Sequence, residues 1–160
     1  MFVPIDLETH VHHNHMYEDN KKVLDGERAF IFYTEVHRKY KYPEFDGEKF
    51  MTEAVTWNRM ANDEYIVRYF NDIICIYEYL EDGLTKAGNK LFLENPRGYG
   101  LWLKEKAIFE KKSYFEMIKL YYSYYCELYK LYSMNKIAEY IVISKFKLML
   151  IAMLKKIKSI

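Results

Sequence analysis

Apolar residues that recur at alternating spacings of four and three constrain this chain more than any other feature of its sequence. The clearest run is Ile66, Phe70, Ile73, Tyr77 and Leu80, with charged and polar residues between them. This spacing places apolar side chains on one face of an α-helix, whereas a strand alternates every second residue. Glycine and proline, which all-β folds need at many turns, number only six and three in 160 residues. We therefore predict an all-α fold.

The chain length suits a single all-α domain over residues 1–160, arranged as one compact bundle of four to five helices. The main helices are expected at 62–86, 101–132 and 136–158. Asn62 is the expected N-cap of the first of these. Residues 1–17 are predicted to be an irregular, histidine-rich N-terminal segment. Residues 27–41 fit a helix or a strand, and their length and charged end favour a helix.

Charge is unevenly distributed, although the formal net charge is only +1. Residues 1–100 carry 12 Lys and Arg against 18 Asp and Glu, whereas residues 101–160 carry 12 Lys against 5 Glu. A basic C-terminal third can pack beside the acidic part, or it can attract phosphates or anionic lipid.

The predicted C-terminal helix has a regular apolar stripe with lysines outside it. The stripe consists of Val142, Phe146, Met149, Leu150, Met153 and Ile157. The simplest expectation is that this helix completes the bundle. Docking into a partner's groove or lying on an anionic membrane are the alternatives.

The two cysteines and the N-terminal sequence predict an intracellular, reducing location in the cytoplasm. Cys75 and Cys126 lie within apolar helical patterns and are expected to be buried, unpaired hydrophobic residues. The first ten residues lack the basic start and apolar core of a signal peptide. The apolar run 141–154 is too short and too charged to span a membrane, so no membrane span is predicted.

Four of the five histidines lie within six residues of the N-terminal segment, flanked by carboxylates. His10, His12 and His15, with Glu18, are candidate ligands for zinc or another divalent metal, which would activate water for hydrolysis. The spacing matches no complete metal motif. The other interpretations are a solvated, weakly metal-binding segment without a resident cofactor, and metal-free acid–base use of one histidine.

The stretch "NPRGYGLW" at 95–102 is a candidate phosphate or nucleic-acid site. It precedes a predicted helix, whose first backbone N–H groups can hold an anion. Arg97 would add a bidentate contact, and Tyr99 and Trp102 would stack on a base. The alternative is a flexible turn between helices, with Trp102 packed in the core.

Tyrosines crowd one broad face of the predicted helix at 101–132. Tyr121, Tyr124, Tyr125 and Tyr129 are the candidate interaction surface, for another protein or for a second copy in a homodimer. A broad stripe at helical spacing also suits a core position. If these residues are buried, their hydroxyl groups need hydrogen-bond partners.

Residues 95–132 show a slight resemblance to a known family. They contain Trp102, Glu105, Tyr114, Leu120, Glu127 and Tyr132 on two adjoining helical stretches. This pattern resembles the helical C-terminal half of small phage proteins similar to pyrimidine-dimer DNA glycosylases. The spacing between Trp102 and Tyr114 departs from that family, and the histidine-rich helix is not in register. The resemblance therefore implies only a link to viral DNA metabolism.

Three functions remain open from the sequence. The first is a small non-enzymatic interaction protein, an accessory or regulatory protein of a type found in viruses and mobile elements. The second is a metal-dependent hydrolase or nuclease that uses the histidine cluster. The third is a nucleic-acid-binding protein that uses the basic C-terminal third. Whether the chain is an enzyme stays open, and the absence of a complete catalytic motif favours the first.

Overall fold

The computed structural model describes residues 29–66, 76, 78 and 83–158, and this part of the chain is helical without any strand. The helices are α1 (Thr34–His37), α2 (Ala54–Asn62), α3 (Leu84–Ala87), α4 (Asn89–Glu94), α5 (Pro96–Phe109), α6 (Tyr114–Leu128), α7 (Met134–Tyr140) and α8 (Lys145–Lys158). The all-α prediction is confirmed. Five helices have seven or more residues, and the other three are single short turns or little more.

The helix predicted over 101–132 is two helices in the structure. Lys111 has a left-handed φ of 51°, and the backbone N–H of Lys112 donates to the Ala107 carbonyl at 2.9 Å, which closes the end of α5. The next helix, α6, begins with a capping box. The Ser113 hydroxyl accepts from the Glu116 backbone, and the Glu116 carboxylate accepts from the Ser113 backbone.

The helix predicted over 136–158 is also interrupted. Val142 has a φ of 56°, and the Ile143 N–H donates to the Ala138 carbonyl at 2.9 Å, so α7 ends there. The Ser144 hydroxyl then accepts from the Lys147 N–H at 3.2 Å and begins α8. Serine caps therefore place these boundaries more sharply than the apolar spacing did.

The predicted start of the 62–86 helix is wrong. Asn62 ends α2, and Glu64 adopts a left-handed φ of 62° while the Tyr65 N–H donates to the Met60 carbonyl at 3.0 Å. Most of the remaining stretch lies outside the described residues, as does the predicted irregular segment 1–17. Within 27–41 the described residues form only the four-residue helix α1.

Helices α5 to α8 enclose the main core. Its buried members are Tyr99, Tyr121, Tyr124, Leu128, Ile137, Ala138, Ile141, Leu148 and Ile151. Helix α2 packs on the outside of α5. The Arg59 guanidinium joins these two helices by donating to both oxygens of Glu105, at 2.9 and 2.7 Å. Among the described residues, no helix has both the length and the apolarity to cross a membrane.

Candidate interaction surface

The predicted phosphate site at the start of α5 is filled by a carboxylate of the chain itself. Glu48 Oε1 accepts from the Arg97 backbone N–H at 2.6 Å, and Oε2 accepts from the Gly98 N–H at 2.8 Å. The side chain of Asn95 fixes the segment that carries Glu48 by accepting from the backbone N–H groups of Lys49 and Phe50, at 2.7 and 3.1 Å. The helix start holds an anionic group, but this group is the Glu48 side chain and not the predicted phosphate.

The two glycines of this motif allow close packing rather than a flexible turn. Both lie inside α5. A Cβ on Gly98 would lie 3.0 Å from Met51 Cε and 3.3 Å from the Phe50 carbonyl oxygen. A Cβ on Gly100 would lie 3.1 Å from the Tyr124 hydroxyl and 3.2 Å from the Tyr140 carbonyl oxygen. The turn interpretation is therefore wrong. Because glycine has no Cβ, α5 can pack closely against Phe50 and Met51 at Gly98 and against Tyr124 and Tyr140 at Gly100.

The side chains of Arg97, Tyr99 and Trp102 do not form the predicted binding site. Tyr99 is buried, and its hydroxyl donates to Glu127 Oε2 at 3.0 Å. Burial and the nearby Glu127 carboxylate raise the pKa of Tyr99 above its usual value. The Trp102 ring stacks on Phe92 with centroids 5.5 Å apart, and the Lys106 ammonium lies 5.2 Å from the centre of the Trp102 ring.

The Arg97 side chain is 36% exposed, and it is engaged by groups of the chain itself. Its guanidinium lies 3.4 Å from Glu139 and 5.4 Å from the centre of the Tyr140 ring. These contacts hold the side chain along the α7 surface. The Arg97 side chain is thus directed to α7, and the backbone N–H groups at the start of α5 bind the Glu48 carboxylate instead of an external phosphate.

The predicted tyrosine surface is wrong for two of its four members. Tyr124 is fully buried and donates from its hydroxyl to the Pro96 carbonyl at 2.6 Å, while Tyr121 is only 5% exposed. Burial raises the pKa of both hydroxyl groups. Tyr125 is half-buried, and its ring lies 5.8 Å from that of Tyr129, which is half exposed. The tyrosine face therefore belongs mainly to the core.

The predicted metal ligands His10, His12, His15 and Glu18 lie outside the described residues. Within the described part of the chain, no three His, Cys, Asp or Glu side chains group as metal ligands. His37 lies between aromatic rings, 5.6 Å from Phe32 and 5.9 Å from Tyr42. The histidine cluster thus remains a prediction from sequence.

Helix α8 is apolar on two opposite sides. Leu148 and Ile151 are 0% and 4% exposed and pack into the core. The other side carries Phe146, Leu150 and Met153, which are 64%, 46% and 50% exposed. With 3.6 residues per turn, these three side chains lie within an arc of about 60°. We name them the α8 outer stripe.

The expected packing of α8 is therefore reversed. The helix does contribute to the bundle, as predicted, but it does so through Leu148 and Ile151. Most of the regular stripe that the spacing singled out is exposed, including Val142 at 72% just before the helix. The spacing correctly identified an apolar face, but that face is exposed rather than packed in the core. The core contact is made by a second apolar face, with Leu148 and Ile151.

The first turn of α6, a helix that packs against α8, carries two further exposed aromatic residues. Tyr114 and Phe115 are 68% and 75% exposed, and their ring centres lie 6.4 Å apart. The Lys147 ammonium connects the two helices, since it lies 6.0 Å from the Tyr114 ring and 5.3 Å from the Tyr121 ring. We call the α8 outer stripe together with Tyr114 and Phe115 the outer apolar surface.

The outer apolar surface offers apolar and aromatic side chains and one lysine. Its helix is held in place from behind by Leu148 and Ile151 and at its start by Ser144. The sequence did hold a signal for this surface, since α8 carries more apolar residues than one buried face requires.

No family model, curated protein or solved structure matches this chain. The slight resemblance to glycosylase-like phage proteins therefore gains no support from these comparisons. Its residues also have local structural roles here. Glu105 pairs with Arg59, and Glu127 accepts from the Tyr99 hydroxyl.

Proposed function

We propose that this protein is a small interaction protein that works by binding another protein through the outer apolar surface. The observation that carries this proposal is the two-sided apolar character of α8. One side, with Leu148 and Ile151, is used by the core, and the opposite side is exposed to solvent. Keeping a regular row of large apolar side chains in water lowers solubility, and such rows are typical of contact sites.

The surroundings of the surface support the same proposal. Its aromatic members Tyr114, Phe115 and Phe146 belong to residue types that are enriched at protein contacts. Helix α8 is already fixed by its buried side, so binding would order few additional groups. A fixed helix with an exposed apolar row is suited to contact with a second folded element.

Site-specific photocrosslinking in living cells tests this proposal. A photoreactive phenylalanine analogue replaces Phe146 in the full chain, and the same analogue replaces Leu131 in a control chain. Leu131 is also exposed, at 58%, but it follows the opposite end of α6. We expect a discrete crosslinked protein from position 146 and none from position 131.

A second variant tests whether the crosslink depends on the outer apolar surface. Leu150→Asp places a charge in the centre of the α8 outer stripe, and the half-exposed position tolerates it. The crosslink from position 146 should then disappear while the circular dichroism spectrum stays the same. Equal crosslinking from positions 146 and 131, or a crosslink that survives Leu150→Asp, contradicts the proposal.

A further inference from the structure

We propose that the partner of the outer apolar surface is an amphipathic helix with acidic residues beside its apolar row. This inference rests on the proposed function and specifies the chemistry of the partner. It is carried by two observations on α8: the spacing of its exposed residues and the sign of the charges that flank them.

The spacing matches the seam of a coiled coil. Phe146, Leu150 and Met153 follow one another at intervals of four and three, which correspond to positions d, a and d of a heptad. The sequence continues the interval of four to Ile157. Core residues Leu148 and Ile151 then take positions f and b, on the far side of the seam. Such a narrow row accepts the side chains of one facing helix as knobs in holes.

The charged residues of α8 itself are all positive. Residues 140–160 contain five lysines and no Asp or Glu. In this register Lys147 takes position e, beside the seam, and the apolar Met149 takes position g. Residues at e and g pair across a coiled coil with the flanking residues of the facing helix. A helix that carries Glu or Asp at those positions is therefore the complementary partner.

A second copy of this chain is a poor occupant of the same seam. Two α8 helices that paired along this seam would bring together two helices that carry lysines and no carboxylate. Like charges across such an interface weaken association and select against it. The charge pattern thus favours a different, acidic protein over self-association.

An anionic membrane is also a poorer fit than a helix. Helices that lie on membranes insert a broad apolar face. The α8 outer stripe is one side chain wide and runs for roughly 10 Å between Phe146 and Met153.

Peptide binding to the full-length protein tests this inference. The probe is a fluorescent four-heptad peptide with Ile at a, Leu at d and Glu at e and g, whose own like charges oppose self-pairing. The matched peptide has Lys in place of Glu. We expect anisotropy to show binding of the acidic peptide, no binding of the basic peptide, and weaker binding as salt increases.

Two variants on the stripe locate the binding site. Leu150→Asp should weaken binding of the acidic peptide about tenfold or more, since a free-energy change of 1.4 kcal/mol is sufficient for that factor. Phe146→Gln, at a position that is 64% exposed, should weaken it in the same direction without a risk to folding. Leu131→Asp, at the exposed position away from the surface, should leave binding unchanged.

Each other outcome overturns a defined part of the argument. If the acidic peptide does not bind while the crosslink from position 146 persists, the acidic-helix inference is wrong and the proposed function stands. Equal binding of the basic peptide, or sedimentation with phosphatidylserine vesicles that Leu150→Asp abolishes, also overturns the inference. A twofold chain mass in sedimentation that Leu150→Asp abolishes assigns the surface to a second copy instead. If the acidic peptide does not bind and position 146 gives no crosslink, the proposed function is wrong as well.

Discussion

Glu48 and Gly98 are joined by a 2.8 Å hydrogen bond in which the glycine backbone N–H donates to the carboxylate. The other carboxylate oxygen accepts from the Arg97 N–H at 2.6 Å. A loop residue thereby satisfies two of the N–H groups that a helix start leaves unpaired and places negative charge at the positive end of the α5 dipole. The contact fixes the segment before α2 to the helix at the centre of the bundle.

Removing the Glu48 carboxylate should destabilise the fold. We expect Glu48→Ala to lower the free energy of unfolding by about 2 kcal/mol, because two charge-assisted hydrogen bonds are lost at partly buried N–H groups. Chemical denaturation with urea measures this change. Glu44→Ala removes an exposed carboxylate four residues away and should change stability by less than about 0.5 kcal/mol. Equal losses in the two variants would show that the α5 contact contributes nothing specific.

Gly100 should be required for packing, although alanine is the better helix former. A Cβ at position 100 would meet the Tyr124 hydroxyl at 3.1 Å and the Tyr140 carbonyl at 3.2 Å. We expect Gly100→Ala to cost about 1–3 kcal/mol through overpacking, against a gain of about 1 kcal/mol in helix propensity. Thermal unfolding monitored by circular dichroism gives the sign of the net change.

A double-mutant cycle identifies the cause of the Gly100→Ala effect. Tyr124→Phe removes the hydroxyl that an alanine at position 100 would meet, and also its 2.6 Å hydrogen bond to Pro96. Gly100→Ala should therefore cost less in the Tyr124→Phe background than in the natural chain. A stabilising Gly100→Ala would exclude close packing as the reason for glycine, and a cost independent of Tyr124 would assign the close approach to the Tyr140 carbonyl instead.

The fold class was predictable from sequence because helical spacing and scarce glycine are strong signals, but the helix ends were not read correctly. The breaks at Lys111 and Val142 use left-handed conformations at residues other than glycine, so no glycine marks them. Their capping serines, Ser113 and Ser144, were visible in the sequence. The pattern Ser113-x-x-Glu116 in particular is a capping box, and it would have divided the long predicted helix.

The candidate site was harder to predict because the same sequence features also serve contacts within the chain. The start of α5 attracts an anion, but spacing along the sequence does not reveal that Glu48 supplies it from 50 residues before Gly98. Apolar periodicity detected the α8 outer stripe without showing that Leu148 fits the core better than Leu150. Which of two apolar faces turns inward depends on the shape of the neighbouring helices, and a single sequence does not state that shape.

The capping box of α6 should give Glu116 a low pKa. The Ser113 hydroxyl and backbone N–H hold the pKa of the Glu116 carboxyl below its ordinary value of 4.5. Since the folded pKa is lower than the unfolded one, the cap stabilises the fold above the unfolded value. That contribution is lost as the pH falls through the folded value. A carbon-detected NMR titration should show the low pKa, and Ser113→Ala should return it towards 4.5. An unchanged pKa in Ser113→Ala would assign the shift to another cause.

Two leucines on α8 offer a matched test of its inner and outer sides. Leu148 is fully buried in the core, whereas Leu150 is 46% exposed on the α8 outer stripe. We expect Leu148→Ala to lower the free energy of unfolding by about 2–5 kcal/mol, because it leaves a cavity. Leu150→Ala should cost less than about 1 kcal/mol, because much of that side chain already contacts water. Urea denaturation of both variants measures the difference, and the residue type, helix and substitution are identical in the pair. Equal losses would mean that the outer stripe is covered in solution by part of this chain, and the proposed binding surface would then have no exposed face on which to act.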